Sequence, residues 1–431
     1  MLEKLYQPIG GLMTHPNKLP QSPGEPEYSI YSARLGDLNQ VSLFHGRNFG
    51  YPMQMDGAGG DIDDQVAKLK SEAETLERYC SCAYTDEQFI YATANELGEK
   101  ALDLDQIPIV SDSELAHPHC PIQRPNKNEK IRWVKGLSLT RNRPVYIPAI
   151  MTYLYIPYTS LAEQFWLPIS TGCAIHTSYE KAMINGICEV VERDAISLVW
   201  LNQLDIPKIE INTQTLSKQD QQYVNRTMEH PFIETQFYDA TTDIGIPTIY
   251  CLQRSPYNKK MSSIVMCTTD LNPTEALTKI TREAASLRIA LQNQEMKTEN
   301  IEQFGNVSDG ALYMAQPKMN SAFDFLTNSK KVTSFESMKD LSTGSDQEDL
   351  KKLVEMLRKK GHEIFVVDQT SDEAKRSNFK AVRVIIPTLQ PLSFHYRAQF
   401  KGSERLYKGP VNMGYRMKSE DELNQYPQPF A

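Results

Sequence analysis

Glu189 and Glu192 stand three residues apart in the run ICEVVERDAISLVW, so on a helix they share one face, with Asn185 one turn earlier. Apolar residues surround them at Ala182, Met183, Ile184, Ile187, Val190, Val191, Ala195, Ile196 and Leu198 to Leu201, which is more than one stripe and predicts a helix buried on most sides. Carboxylates close together inside a protein lose hydration and repel, so they require a cation, an arginine or a proton. One reading is a structural ion pair with Arg193 and a second arginine. The sharper reading is a divalent-metal site.

A second segment repeats the pattern. Gly57-Ala-Gly-Gly60 precedes a helix carrying Glu74-Thr-Leu-Glu77-Arg78, as Ser170-Thr-Gly-Cys-Ala174 precedes the helix carrying Glu189-Val-Val-Glu192-Arg193. Both read as a turn of small residues, then a helix with E-x-x-E-R. Ser71, Glu74 and Glu77 form a polar stripe beside Arg78. Taken alone that stripe is a solvated face; paired with the second copy it suggests two helices facing one centre. Four carboxylates converging in pairs (Glu74, Glu77, Glu189 and Glu192) could hold Mg2+, which prefers carboxylate and phosphate oxygens. Arg78 and Arg193 could grip phosphate oxygens. A third helix opens Asn272-Pro-Thr-Glu275 and carries Arg282, Glu283, Ser286 and Arg288. It reads either as a half-exposed helix or as a third wall of a nucleotide site.

Other chemistries find less support. G-x-x-x-x-G-K-[ST] and G-x-G-x-x-G are both missing. Amides at the Gly57–Gly60 turn could cradle phosphate. Cys80-Ser-Cys82 lacks a matching second pair, and His117-Pro-His119-Cys120 is a loop cluster short of the four placed ligands of structural zinc.

Elements must position these residues. Helices are expected over about 61–83, 86–103, 178–203 (with Thr177 and Glu180 as a capping box), 273–294 and 348–360. Strands are expected at VSLF (41–44), IRWVKGLSL, VYIPAIMTYLYI, IETQFYDA, PTIYCLQR, SIVMCTT, EIFVVDQ and AVRVIIP. Residues 1–27 read as an extended arm, 104–130 as a loop, 296–348 as a variable helical insert, and 401–431 as a polar tail. The mixture argues an α/β (mixed α+β) fold, divided into a lead-in over 1–45 and one catalytic domain over 46–431.

Composition bounds the rest. The 431 residues carry 46 Lys+Arg against 54 Asp+Glu, a formal charge of −8, with no basic field for nucleic acid. With 40% hydrophobic residues a real core is available. No apolar run is long enough to span a membrane, and the start lacks a signal-peptide core. Seven cysteines read as reduced thiols of a cytoplasmic protein.

The ordered motifs resemble the YcaO family. ISTGCAIHTSYEKAMINGICEVVERDAISLVW is similar to that family's signature helix, GAGGDIDDQVAKLKSEAETLERY to its first motif and NPTEALTKITREAASLR to its third helix; KKGHEIFVVDQT, AVRVIIPTLQPL and the Pro-containing end resemble its C-terminal part. The subgroup most similar is the D component of azole-forming peptide synthetases. The resemblance implies a YcaO-like fold of pseudo-symmetric subdomains around a nucleotide site, and ATP and Mg2+ as cofactors. It implies a cyclodehydratase that turns Cys, Ser or Thr of a ribosomal precursor peptide into thiazolines or oxazolines. By motif, Ser71, Glu74, Glu77, Arg78, Asn185, Glu189, Glu192, Arg193, Arg282, Glu283 and Arg288 would bind nucleotide, with the four glutamates Glu74, Glu77, Glu189 and Glu192 as Mg2+ ligands. Pro427, Pro429 and Ala431 would form a catalytic tail, although the third proline of the family's P-x-P-x-P ending is replaced here by Phe430-Ala431. Ala58 stands where the family often has Lys, and Ser286 where it often has Gln. The implied partners are the precursor peptide, a separate ubiquitin-activating-enzyme-like leader-binding protein, a flavin-dependent azoline dehydrogenase, and a second copy as homodimer. Thioamide or macroamidine formation, and a non-catalytic scaffold, stand as alternatives.

Overall fold

A computed structural model of the chain describes residues 2–6, 11–36 and 55–431. The strand expected at 41–44 and the boundary expected at 45/46 lie outside these residues. In chain order the strands are β1 (Asn17–Lys18), β2 (Ser29–Arg34), β3 (Asp56–Asp61), β4 (Phe89–Ala92), β5 (Ile131–Ser138), β6 (Arg143–Pro148) and β7 (Cys173–His176). They continue with β8 (Lys208–Glu210), β9 (Glu234–Asp239), β10 (Thr248–Arg254), β11 (Ser263–Thr269), β12 (Val332–Ser334), β13 (Phe365–Asp368) and β14 (Lys380–Ile385). The main helices are α1 (Asp64–Cys82), α2 (Tyr179–Asn202), α3 (Lys218–Met228), α4 (Pro273–Gln292), α5 (Asp309–Met314), α6 (Asp346–Lys359) and α7 (Glu404–Asn412).

The strands build three sheets: β1-β2-β3, then β4-β5-β13-β14-β7 with β6 on β5, then β11-β10-β9-β8-β12. All pairs are antiparallel except β8 with β12. The expected mixed α/β class is what the chain adopts. Three long helices close a ring through the sheets. α1 packs on β2 and β3 and on β7 and β14; α2 packs on β7 and β14 and on β11; α4 packs on β11 and β10 and on β3. The E-x-x-E-R helices are thus two of three spokes around one centre.

Local chemistry starts each spoke. The Asp63 carboxylate accepts from the amides of Gln65 and Val66 at 2.8 and 3.0 Å, so Asp63 caps α1. Ser178, rather than the Thr177–Glu180 box, caps α2 through the amide of Lys181 at 3.2 Å. Asn272 caps α4 with Pro273 behind it, as expected. α2 is buried on most sides because its first half enters one core with Leu353, Leu357 and Val384 and its second half another with Tyr250, Phe323 and Phe430.

Several expectations change. Residues 86–103 are not a helix: β4 pairs with β5, with Phe89 and Ala92 turned inward, between short turns capped at Thr85 and Thr93. The strand from Val145 ends at Pro148 and gives way to a helical turn, Ala149–Thr152. The 1–27 arm is no free lead-in, since Asn17 and Lys18 pair with β2 and Glu25 meets Arg288.

The glycine turn at 57–60 is instead the strand β3, lying against α1. A Cβ on Gly59 would stand 2.2 Å from the carbonyl oxygen of Ala67 and 2.5 Å from the Ser71 amide; one on Gly57 would stand 2.3 Å from the Thr75 amide. Only glycine allows that approach. We expect Gly59→Ala to destabilise the protein by about 2 kcal/mol or more through this overlap, read as a lowered denaturant midpoint. An unchanged midpoint would refute the packing account.

Candidate active site

The two E-x-x-E-R segments form matching clusters. On α1, Arg78 reaches Glu74 at 2.9 Å and Glu77 at 3.5 Å. On α2, Arg193 reaches Glu189 at 3.2 Å and Glu192 at 3.4 Å. The first glutamate of each set is held by the strand or turn before its helix: Glu74 accepts from the amide of Ala58, and Glu189 from that of Gly172, both at 2.9 Å. Glu192 also accepts from the Thr269 amide at the end of β11, at 3.0 Å. The ion-pair reading therefore describes the protein by itself, since each arginine sits between its two carboxylates.

The arginines do not offset the burial of the second carboxylate in each pair. Burial pushes the Glu77 carboxyl up to about 8; Arg78 pulls it down, while Glu189 and Glu74 push it further up. Burial likewise carries Glu192 to about 7, against the pull of Lys279 and Arg193 and with the push of Glu283 and Glu189. Glu189 thus acts on both pairs and Glu283 on the second, so the two pairs lie within electrostatic reach of one another. Lys279, 3.8 Å from Glu283, is held protonated by Glu283 and Glu192 against its burial.

A second charge group lies where β3 meets α1 and α4. Lys70 pairs with Asp61, which also accepts from the Tyr223 hydroxyl at 2.6 Å. Burial and the neighbouring Arg282 lower the pKa of Lys70, with Asp61 opposing them. Lys70 thus stands within electrostatic reach of Arg282, with Asp61 as its anionic partner. A surplus of buried carboxylate beside these cations suits a magnesium-bound phosphate chain.

The remaining expected residues divide. Ser71 is fully buried beneath β3, and Asn185 is exposed on α2 one turn before Glu189. Arg282 and Glu283 face the cluster, and the Arg282 carbonyl lies beneath Gly60. Arg288 does not join them: it is fully buried on the far side of α4, where Glu25 takes its Nε and, at 3.0 Å, its Nη2. A salt bridge spanning 263 positions lies beyond the reach of helical spacing. Pro427, Pro429 and Phe430 are buried, and Ala431 packs at the corner of α4 and α5 beside Ala284 and Leu312. Among the described residues no three His, Cys, Asp or Glu side chains form a ready metal cage, so the four glutamates stand as two pairs and not as a closed site. The seven cysteines are free thiols.

Lys70, Lys279 and Arg383 were missed by the motif reading. Arg383 on β14 is 3% exposed, and its charge helps to hold down the Glu77 carboxyl. An arginine in the middle of the apolar run AVRVIIP was its signal.

Because a bound cation favours ionised carboxylates, loading with Mg2+ and nucleotide should expel protons from Glu77 and Glu192 near pH 7 to 8. Titration calorimetry at pH 7.5 is expected to give heats that change with the ionisation enthalpy of the buffer. Identical heats in phosphate and Tris would count against the assignment.

Two carboxylate–arginine helices beside a third helix that carries Lys279 and Arg282 make an arrangement that would suit a metal-bound nucleotide. The comparisons with known proteins agree. The model of the YcaO cyclodehydratase family, described as ATP- and Mg2+-binding, matches residues 58–390. The chain belongs to that family. It is 26% identical over 346 residues to an uncharacterised protein of Methanothermobacter thermautotrophicus, covering 78% of this chain and 82% of that one. Its fold is similar to that of a heterocyclase solved in complex with substrate and cofactor (TM-score 0.80, 22% identity, all of this chain but 56% of that one). It is also similar to a chain of the E. coli microcin synthetase McbBCD complex with pro-MccB17 bound (TM-score 0.62, 14% identity, 100% and 99% covered). The chain thus spans little more than half the length of the first of these heterocyclases. Among the described residues no helix is long and apolar enough to cross a membrane.

Proposed function

We propose that the protein is an ATP-dependent cyclodehydratase of peptide backbones, acting in the cytoplasm on a ribosomal precursor. The observation that carries this reading is the paired Glu74–Glu77–Arg78 and Glu189–Glu192–Arg193 clusters, with carboxyls raised by burial at the centre of three helices. The two glutamate pairs would hold Mg2+ together with phosphate oxygens, and Mg2+ would neutralise phosphate charge. Arg78, Arg193, Lys70 and Arg282 would orient the phosphates, as expected where positioning and electrostatics dominate phosphoryl transfer.

The chemistry requires a poor leaving group to become a good one. The side-chain thiol or hydroxyl of a substrate Cys, Ser or Thr adds to the preceding carbonyl carbon and gives up its proton. The carbonyl oxygen takes the γ-phosphoryl group, releasing ADP. Departure of phosphate, with loss of the amide proton, leaves the C=N bond of a thiazoline or oxazoline. Walls that exclude water would keep the phosphoryl group from hydrolysis.

A leader-binding partner resembling a ubiquitin-activating enzyme is proposed to be a separate protein, with a flavin-dependent dehydrogenase acting afterwards. The deciding experiment is mass spectrometry of a genetically neighbouring precursor peptide co-expressed with the protein and that partner. The expected result is loss of one water per modified Cys, Ser or Thr. An unmodified precursor together with retained MgATP affinity in both Glu74→Ala and Glu192→Ala would favour the scaffold instead.

A further inference from the structure

Beside Arg193, a cavity of about 40 Å3 opens among Pro108, Met151, Ile169, Val190 and Pro391. Its walls are apolar, yet Trp166, Arg383 and Gln390 also line it, and each brings a polar atom without a partner among the described residues: Trp166 Nε1, Arg383 Nε and Gln390 Oε1. The three side chains are 8%, 3% and 1% exposed. Buried polar atoms usually find partners, because leaving them unmade is costly. Two idle donors and one idle acceptor in an apolar cavity therefore describe what is missing: a group that accepts at one end and donates at the other.

The rest of each side chain is fixed. Arg383 Nη1 donates to the Ile169 carbonyl at 2.7 Å, and the Trp166 ring packs on Phe400 at 5.2 Å. Gln390 Nε2 donates to the carbonyls of Gln399 and Phe400, each at 3.2 Å, and the Gln390 amide donates to Asp194 at 2.9 Å. Asp194 follows Arg193 on α2, so the cavity and the carboxylate cluster share one rigid element. The cavity holds a few atoms, enough for a peptide unit and too few for a purine. Pro108, Pro387 and Leu389 also line a second cavity of about 800 Å3, bordered by Asp243, Lys360, His362 and Arg405.

We propose that the small cavity is the subsite for the substrate backbone. Trp166 Nε1 and Arg383 Nε donate to one substrate carbonyl oxygen, Gln390 Oε1 accepts the N–H at the other end of that peptide unit, and the chain continues past Pro108 and Pro387 into the larger cavity. Recognition of backbone atoms makes the subsite tolerant of sequence and selective for an amide. This proposal rests on the peptide-substrate reading above.

The test uses the full chain and the capped peptide acetyl-Gly-Cys-Gly-amide, with binding followed by ligand-detected NMR and MgATP binding measured separately. Trp166→Phe keeps an aromatic ring but deletes the idle N–H. It is expected to weaken peptide binding about fivefold or more, with MgATP affinity unchanged. Trp200→Phe, which deletes another partnerless indole N–H outside the cavity lining, should leave both affinities unchanged. Gln390→Leu is the second variant, with the same expectation as Trp166→Phe. Peptide binding equal to wild type in both cavity variants, no saturable binding by the wild-type chain at millimolar peptide, or displacement of the peptide by adenosine would overturn the proposal. Peptide binding without any MgATP binding would leave the subsite standing and remove the cyclodehydratase reading.

Discussion

Glu77→Gln and Glu192→Gln should each abolish ATP-dependent water loss from the precursor, by about 100-fold or more, while the fold persists. The substitution keeps size and a carbonyl oxygen, so the Glu192 position can still accept from the Thr269 amide. It removes the charge that Mg2+ would need. The effect on stability has the opposite sign. Both carboxyls titrate above the ordinary carboxylate value of 4.5, at about 8 for Glu77 and about 7 for Glu192. The folded protein therefore holds these protons more tightly than the unfolded chain. Their stabilising contribution is complete below pH 4.5 and is lost as pH rises to about 8. Glutamine stays neutral throughout, so each variant should lose less stability than wild type between pH 5 and 8. Thermal melts across that range, beside MgATP titrations at pH 7.5, check both halves. Full activity in either variant would remove that glutamate from the site; a wild-type-like pH slope would refute its burial as an unsatisfied carboxyl.

The carboxylates were legible because helical spacing is local. E-x-x-E-R on an apolar helix places two acids on one face with an arginine beside them, and the structure keeps that geometry twice. Contacts that depend on distant chain were not legible. Arg288 has the spacing of a site residue, but Glu25, 263 positions away, holds it elsewhere. Lys70, Lys279 and Arg383 reach the centre only because three sheets bring it together. The glycine-rich segment 57–60 carries the composition of a turn; its real constraint is the clearance between β3 and α1, a tertiary fact. β4 was hidden for the same reason, since four residues become a strand when β5 offers an edge. The polar tail departs furthest from its composition. Asn424 fastens it to the carbonyl of Trp200 at 3.1 Å and to that of Leu201 at 2.8 Å, and residues 427–430 are drawn inside.

That burial reshapes the test of a catalytic tail. Deleting residues 427–431 should abolish cyclisation, but it should also destabilise the protein by about 3–5 kcal/mol, the usual cost of losing a buried phenylalanine. Phe430 is 1% exposed and meets the Tyr250 ring edge-on at 5.3 Å, and the Gln428 carbonyl lies against Gly310. Lost activity in the truncation therefore mixes chemistry with unfolding. Two gentler changes separate them. Replacing Pro427 and Pro429 together by alanine keeps the Phe430 side chain and should cost about 1–2 kcal/mol through added freedom of the unfolded chain, less than the truncation. Removing Ala431 alone leaves the anchor untouched. If the tail shapes the active site, both changes should cut cyclisation about tenfold or more with MgATP affinity near wild type, the unfolding midpoint falling only modestly in the proline variant and staying near wild type without Ala431. Undiminished azoline formation in both would make the tail a strap whose function is to close the core between α2, α5 and β11, and the severe loss in the truncation would then be entirely that of Phe430.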